Sequence, residues 1–186
     1  MTTIAVIYFS GTGTTRAVAE AVRNGAAKTD SEALLLEVTG ADISDGRWAN
    51  DEIAGQLDAC EGIIFGTPTY MGSVAGQYKS FMDAMAPRWY TQAWRGKVAA
   101  GFTASSLSAG DKFNALLDLT TFAMQMGMIW VGTGVGMQEG LNLNGFYYGV
   151  GATASNADEL QEVDINTAQS LGTRVADISA RLANDA

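Results

Sequence analysis

Thr3-Ile4-Ala5-Val6-Ile7-Tyr8-Phe9-Ser10-Gly11-Thr12-Gly13-Thr14-Thr15 is the stretch on which the reading of this chain turns. Residues 3–9 are β-branched and aromatic with no polar alternation, the pattern of a strand buried on both faces. The hydroxyl- and glycine-rich segment 10–15 interrupts it. Ala17, Val18, Ala21 and Val22 then recur at the spacing of an apolar helix side over about 14–27. A buried strand that turns through glycines directly into a helix opens a doubly wound α/β unit. The helix start behind such a turn presents unpaired amides and a positive dipole end. Gly11 and Gly13 let the backbone turn closely, while Ser10, Thr12, Thr14 and Thr15 supply hydroxyls. That composition suits a phosphate held without lysine; an ordinary strand-to-helix turn with a threonine cap is the alternative reading.

The same alternation continues outward from this start. A second strand fits 33–38, the stretch 39–48 reads as loop, and a short helix fits 50–57. Gly62–Gly66 reads as the third strand, ending in a punctuated loop, Thr67-Pro68-Thr69-Tyr70-Met71-Gly72. Val74, Tyr78, Phe81, Met82 and Met85 mark an amphipathic helix that Pro87 is expected to end. Residues 88–95 carry Trp89, Tyr90 and Trp94 in a short polar stretch. Lys97–Phe102 is a fourth strand, Thr103–Gly110 a serine- and glycine-rich loop, and Phe113, Leu116, Leu117, Thr120 and Met124 a further helix. Met128–Val131 is the fifth strand, and a helical pattern returns over 158–183. Between them, 132–157 has no clear period; its length assigns it to function or assembly. Five short apolar strands alternating with helices predict one domain, 1–186, built on a parallel sheet covered on both faces.

Composition removes several function classes. Of 186 residues, 11 are basic and 20 acidic, a formal net charge of −9, so nothing favours the phosphate backbone of a nucleic acid. The single cysteine excludes an internal disulfide, a CxxC redox pair and a cysteine-rich metal site. The absence of histidine removes the usual catalytic base and the commonest metal ligand. Redox chemistry in such a chain has to come from a bound organic cofactor. The first apolar run is too short to span a membrane, so no membrane insertion and a cytoplasmic location are expected.

The turn at 10–15 lacks the Gly-Lys-Ser/Thr of a nucleotide-triphosphate loop. It also carries Arg16 where the dinucleotide fingerprint has its third glycine. Ser10-Gly11-Thr12-Gly13-Thr14-Thr15 instead resembles the flavodoxin phosphate loop, Ser/Thr-x-Thr-Gly-x-Thr. Gly66-Thr67-Pro68-Thr69-Tyr70-Met71-Gly72, followed by Gly76-Gln77, resembles the second cofactor loop of the WrbA-like NAD(P)H:quinone oxidoreductases, members of the flavodoxin-like superfamily. Residues 97–104 and the helix ending at Gly127-Met128 are similar to the matching segment. Tyr148-Gly149-Val150-Gly151-Ala152-Thr153 is a partial likeness of that family's Pro-Tyr-Gly-Ala-Thr. Tyr70-Met71 departs from the Arg-Phe common there, and Gln125-Met126-Gly127 lacks the family's histidines.

The resemblance implies a flavodoxin-like three-layer α/β sandwich with a five-stranded parallel sheet in the order 2-1-3-4-5, and FMN as cofactor. It implies a phosphate group of Ser10, Thr12, Gly13, Thr14 and Thr15. It implies a ring-side loop of Pro68, Thr69, Tyr70, Met71 and Gly72, and a third loop of Ala104, Ser105, Ser106, Leu107, Ser108, Ala109 and Gly110. Trp89 matches a segment that encloses the flavin from a neighbouring subunit, with Trp94 as an alternative wall; either tryptophan also reads as ordinary packing. No protein nucleophile is implied. The implied reaction passes a hydride from NAD(P)H to flavin and two electrons on to a quinone, in a homodimer or homotetramer. The alternatives are a flavodoxin-type carrier serving a protein redox partner, which −9 would suit, and a flavin-binding scaffold or sensor. Exposed Trp, Tyr and Met around 85–94, with 141–148, read either as an intersubunit surface or as monomer core.

Overall fold

The computed structural model describes residues 1–137 and 140–184. Its central strand is β1 (Thr2–Tyr8), which pairs in parallel with β2 (Ser31–Glu37) on one side and β5 (Gly62–Tyr70) on the other. Two-residue strands β3 (Ile43–Ser44) and β4 (Arg47–Trp48) form a small hairpin within the expected loop 39–48. β5 pairs in parallel with β7 (Val98–Ser105). The outermost position beside β7 is shared by β8 (Ile129–Trp130), against Val98 and Ala99, and β9 (Val150–Thr153), against Phe102–Ser105. The long parallel strands therefore run β2-β1-β5-β7 with the β8/β9 pair outermost, which is the expected order.

The fifth strand is thus a composite. Its expected stretch, Met128–Val131, gives only two paired residues, and the larger part comes from inside 132–157. Sequence reading misses this because the two pieces join only through β7, a nonlocal partner.

Helices α1 (Thr14–Ala26) and α6 (Glu162–Asn184) cover one face over Ile4, Val6, Ile64, Ala100 and Val150. α6 passes close to α1 because Gly172 has no side chain: a Cβ there would collide with the Val22 carbonyl oxygen. The other face carries α2 (Asp51–Ala59), α3 (Gly76–Ala84), α4 (Ala86–Thr91) and α5 (Lys112–Gln125). Here the core is aromatic. Phe65 meets Phe122 edge-on at 5.4 Å and lies 6.3 Å from Trp94, and Trp48 meets Phe81 at 5.2 Å.

Two expectations change on this face. Pro87 does not end the helix; it occupies the first turn of α4, where its missing N–H has no partner to lose. Trp94 is not a wall of a cofactor site. It is fully buried, and its Nε1 donates to Asp58 Oδ1 at 2.7 Å, the carboxylate that also pairs with Arg88. Met85 is core as well, whereas Trp89, Tyr90, Tyr147 and Tyr148 remain exposed.

Candidate flavin site

β1 ends at Tyr8 opposite Gly66, and α1 begins at Thr14, so segment 9–13 turns across the carboxyl edge of the sheet. Gly13 is the helix N-cap with φ of 96°, a left-handed conformation that side chains disfavour. Ser10 Oγ accepts from the amides of Gly13 (3.1 Å) and Arg16 (3.2 Å), which fixes the turn. Thr14 and Thr15, in the first helical turn, have amides with no intrahelical acceptor. The Thr14 hydroxyl is buried and has no partner. A buried hydroxyl without a partner costs free energy that a ligand oxygen would recover. Arg16 turns away from the loop: its guanidinium holds both Glu37 oxygens, at 2.8 and 2.6 Å.

Behind this turn lies a cleft of about 240 Å³. Thr12, Thr14 and Thr15 line it from the first loop, Pro68, Thr69 and Tyr70 from β5, and Ala104, Ser105 and Ser106 from the end of β7. Three segments far apart in sequence converge there because β1, β5 and β7 are adjacent and parallel. Ala154 and Ser155 complete the wall. Sequence reading missed these two; the apolar run Val150–Ala152, ending in Thr153, was the available signal. Among the described residues no lysine or arginine lines the cleft, and no cluster of His, Cys, Asp and Glu could hold a metal.

The second segment is not the expected loop. β5 continues through Thr67–Tyr70, and Met71 and Gly72, both at positive φ, form a two-residue hairpin turn into β6 (Ser73–Val74). Pro68 is tolerated because β1 has already ended and only the β7 side is paired there. Thr69, at the cleft, shares a buried hydroxyl bond of 2.7 Å with Thr103. The Tyr70 hydroxyl rests over Gly11, where any Cβ would collide with it, while Met71 at the hairpin tip is fully exposed.

The third loop also begins later than expected, since β7 runs through Ser105. Leu107, Ser108, Ala109 and Gly110 form its outer turn and do not line the cleft, and Asp111, which follows them, packs against Gly72 of the hairpin turn. Trp89 is half-exposed in a separate groove between α3, α4 and α5, with Met82, Met85 and Phe122, away from the first loop. Within a single chain the structure does not bring it to the other candidates.

Residues 2–141 match the family model described as NADPH-dependent FMN reductase. The chain belongs to the NADPH-dependent FMN reductase family. Flavodoxin FldP of Pseudomonas aeruginosa is 35% identical, covering 98% of this chain and 99% of that one. An NAD(P)H dehydrogenase (quinone) of Archaeoglobus fulgidus is 31% identical over 98% of this chain and the whole of that one. Among solved structures, the WrbA-like flavodoxin of Agrobacterium tumefaciens superposes with a TM-score of 0.79 at 36% identity, covering 97% of this chain and 99% of that one. As an FMN reductase family protein with the flavodoxin-like fold, the chain is a flavoprotein oxidoreductase and its cofactor is FMN. The geometry fits that group. The unpartnered Thr14 hydroxyl and the open amides of α1 are donors for a phosphate, and the cleft between the strand ends is uncharged. No helix among the described residues is long and apolar enough to cross a membrane.

Proposed function

We propose that this protein is a cytoplasmic NAD(P)H:quinone oxidoreductase. The observation that carries the reading is the buried, unpartnered hydroxyl of Thr14, a residue lining a cleft shared by three strand ends. Thr12, Thr14 and Thr15 hold the phosphate of FMN through amides and hydroxyls, with Ser10 and Gly13 keeping the turn in shape. Pro68, Thr69 and Tyr70, and Ala104, Ser105 and Ser106, flank the rest of the cofactor. When bound, FMN would supply the store for the two electrons that pass from a reduced nicotinamide to a quinone. The chain contributes position and exclusion of water rather than a nucleophile. Tyr70 and the exposed Met71 at the hairpin tip would face the incoming reactant, and backbone amides at the strand ends would offer donors to the bound cofactor. The hydroxyl of Tyr70, an exposed residue, and water are the available proton donors for the quinol.

The exposed Trp89, Tyr90, Tyr147 and Tyr148 favour a homodimer or homotetramer, in which Trp89 of one subunit reaches the site of another. The acidic balance, −9, makes nucleic acid an unsuitable partner.

Anaerobic rapid mixing of FMN-loaded protein with NADH and with NADPH tests this directly. Prompt flavin bleaching, reversed by a quinone, is expected. Bound flavin that neither nicotinamide reduces rejects the enzyme reading. It would favour a flavodoxin-type carrier for a protein redox partner, the second reading that the likeness to flavodoxin FldP supports.

A further inference from the structure

Lys112 is the first residue of α5, yet its side chain is fully buried, an uncommon fate for lysine. All three of its N–H groups are used. The ammonium donates to the Leu107 carbonyl at 3.1 Å, to the Ala152 carbonyl at 3.1 Å, and to the Thr153 hydroxyl. Leu107 belongs to the turn after β7, and Ala152 and Thr153 close β9. These two segments are neighbours, paired over Phe102–Ser105 and Val150–Thr153 with the Ala154 amide donating to the Ser105 carbonyl at 3.1 Å, and together they carry one wall of the cleft, Ser105, Ser106, Ala154 and Ser155. The Phe146 ring lies 5.6 Å from the ammonium and shields it. Asp164 of α6 anchors the same strand end, accepting from the Thr153 amide at 3.0 Å and from Asn144 at 2.9 Å.

Resting on the FMN reading above, we infer that Lys112 is a positioning residue of the cofactor site: its ammonium locks the Leu107 turn onto the end of β9 and thereby holds the wall of Ser105, Ser106, Ala154 and Ser155 in the shape that fits FMN. It does not line the cleft.

Deprotonation turns three charge-assisted bonds into weaker neutral ones, two N–H groups still reaching the carbonyls while the Thr153 hydroxyl donates to the amine, so the fit depends on the charge of this amine. Burial pushes it down to about 8, and the Asp164 carboxylate opposes that shift. The loop 105–110 and β9 contribute no titratable side chain, and Asp111, next in sequence, lies against Gly72 instead. The phosphate of a bound nucleotide titrates near pH ~6, well separated from the amine.

The test is titration of the full-length apoprotein with FMN by flavin-fluorescence quenching, from about pH 6.5 to 9.5, for wild type, Lys112→Arg and Lys112→Met. Wild-type Kd is expected to rise several-fold through about pH 8. Lys112→Met should bind about tenfold more weakly at pH 7 and show no such rise. Lys112→Arg, which keeps its charge throughout, should restore affinity and hold it flat. A wild-type affinity that is flat across this range overturns the inference, even if neither variant folds. So does a Lys112→Met protein with a lower melting temperature but wild-type affinity and pH profile, which would mark a merely structural lysine. Wild-type protein that binds no FMN at any pH overturns the parent reading; FMN binding indifferent to Lys112 overturns this inference alone.

Discussion

The first and third loops flank one cleft and are built on opposite principles. In the loop 10–15, Ser10 Oγ takes the Gly13 and Arg16 amides, but the Thr14 hydroxyl is buried and unpaired and the Thr14 and Thr15 amides have no intrahelical acceptor. In the loop 106–111 the internal groups are already engaged. Ser105 Oγ donates to Leu107 O at 3.0 Å, and Lys112 takes the same carbonyl together with the end of β9. The difference separates two tasks that a sequence motif merges. One loop recognises by unmet hydrogen bonds; the other recognises by shape, which its own bonds maintain.

Changes to the shape-keeping side should therefore act on stability first. Asp164→Asn turns an amide donor toward either the Thr153 amide or Asn144 and leaves the buried ammonium without its neighbouring charge. A loss of about 2–3 kcal/mol in urea unfolding of the apoprotein is expected. Loss of less than ~0.5 kcal/mol would show that the third loop is not held this way.

On the recognising side, Gly13→Ala forces a side chain into a left-handed conformation at φ of 96°. About 1–2 kcal/mol of strain should fall on the folded state, and FMN affinity should drop with it. Thr14→Val is gentler and more informative. It replaces an unpartnered hydroxyl by a methyl of similar shape, so apoprotein stability should stay within ~0.5 kcal/mol while FMN binds about tenfold more weakly. Equal losses in stability and binding would remove the contrast between the loops.

The remaining effect is a slope in pH. The Lys112 amine titrates at about 8 in the fold and near ~10.4 when unfolded. Between those values the unfolded chain binds more protons, so this residue's contribution to fold stability should rise with pH across that window. FMN affinity is expected to fall as pH passes through about 8, the lower edge of the same window. Opposite slopes in denaturant unfolding and in FMN titration, both absent in Lys112→Met, are the signature.

The order of strands and the first loop were legible because their signals are local. An unbroken apolar run, two glycines and the spacing of Val18 and Val22 sit within one strand–turn–helix unit. Thr67–Tyr70 was misread as a loop because Pro68 punctuates it, and only the early end of β1 makes proline acceptable there. Lys112 drew no notice, since a lysine opening a helix is ordinarily solvent-exposed; the Phe146 and Asp164 that surround it come from 34 and 52 residues later. Ala154 and Ser155 were missed for the same reason, as the strand before them is defined only by its pairing with β7.

That composite outer strand has a practical consequence. β8 is tied to one end of β7 and β9 to the other, so the covalent path between them is not what keeps either in place. A chain divided inside 141–149 would yield one fragment carrying the phosphate turn and another carrying β9 with α6. Co-expressed, the two pieces should reassemble through the sheet and the α1–α6 contact, making flavin colour a reporter of fragment complementation.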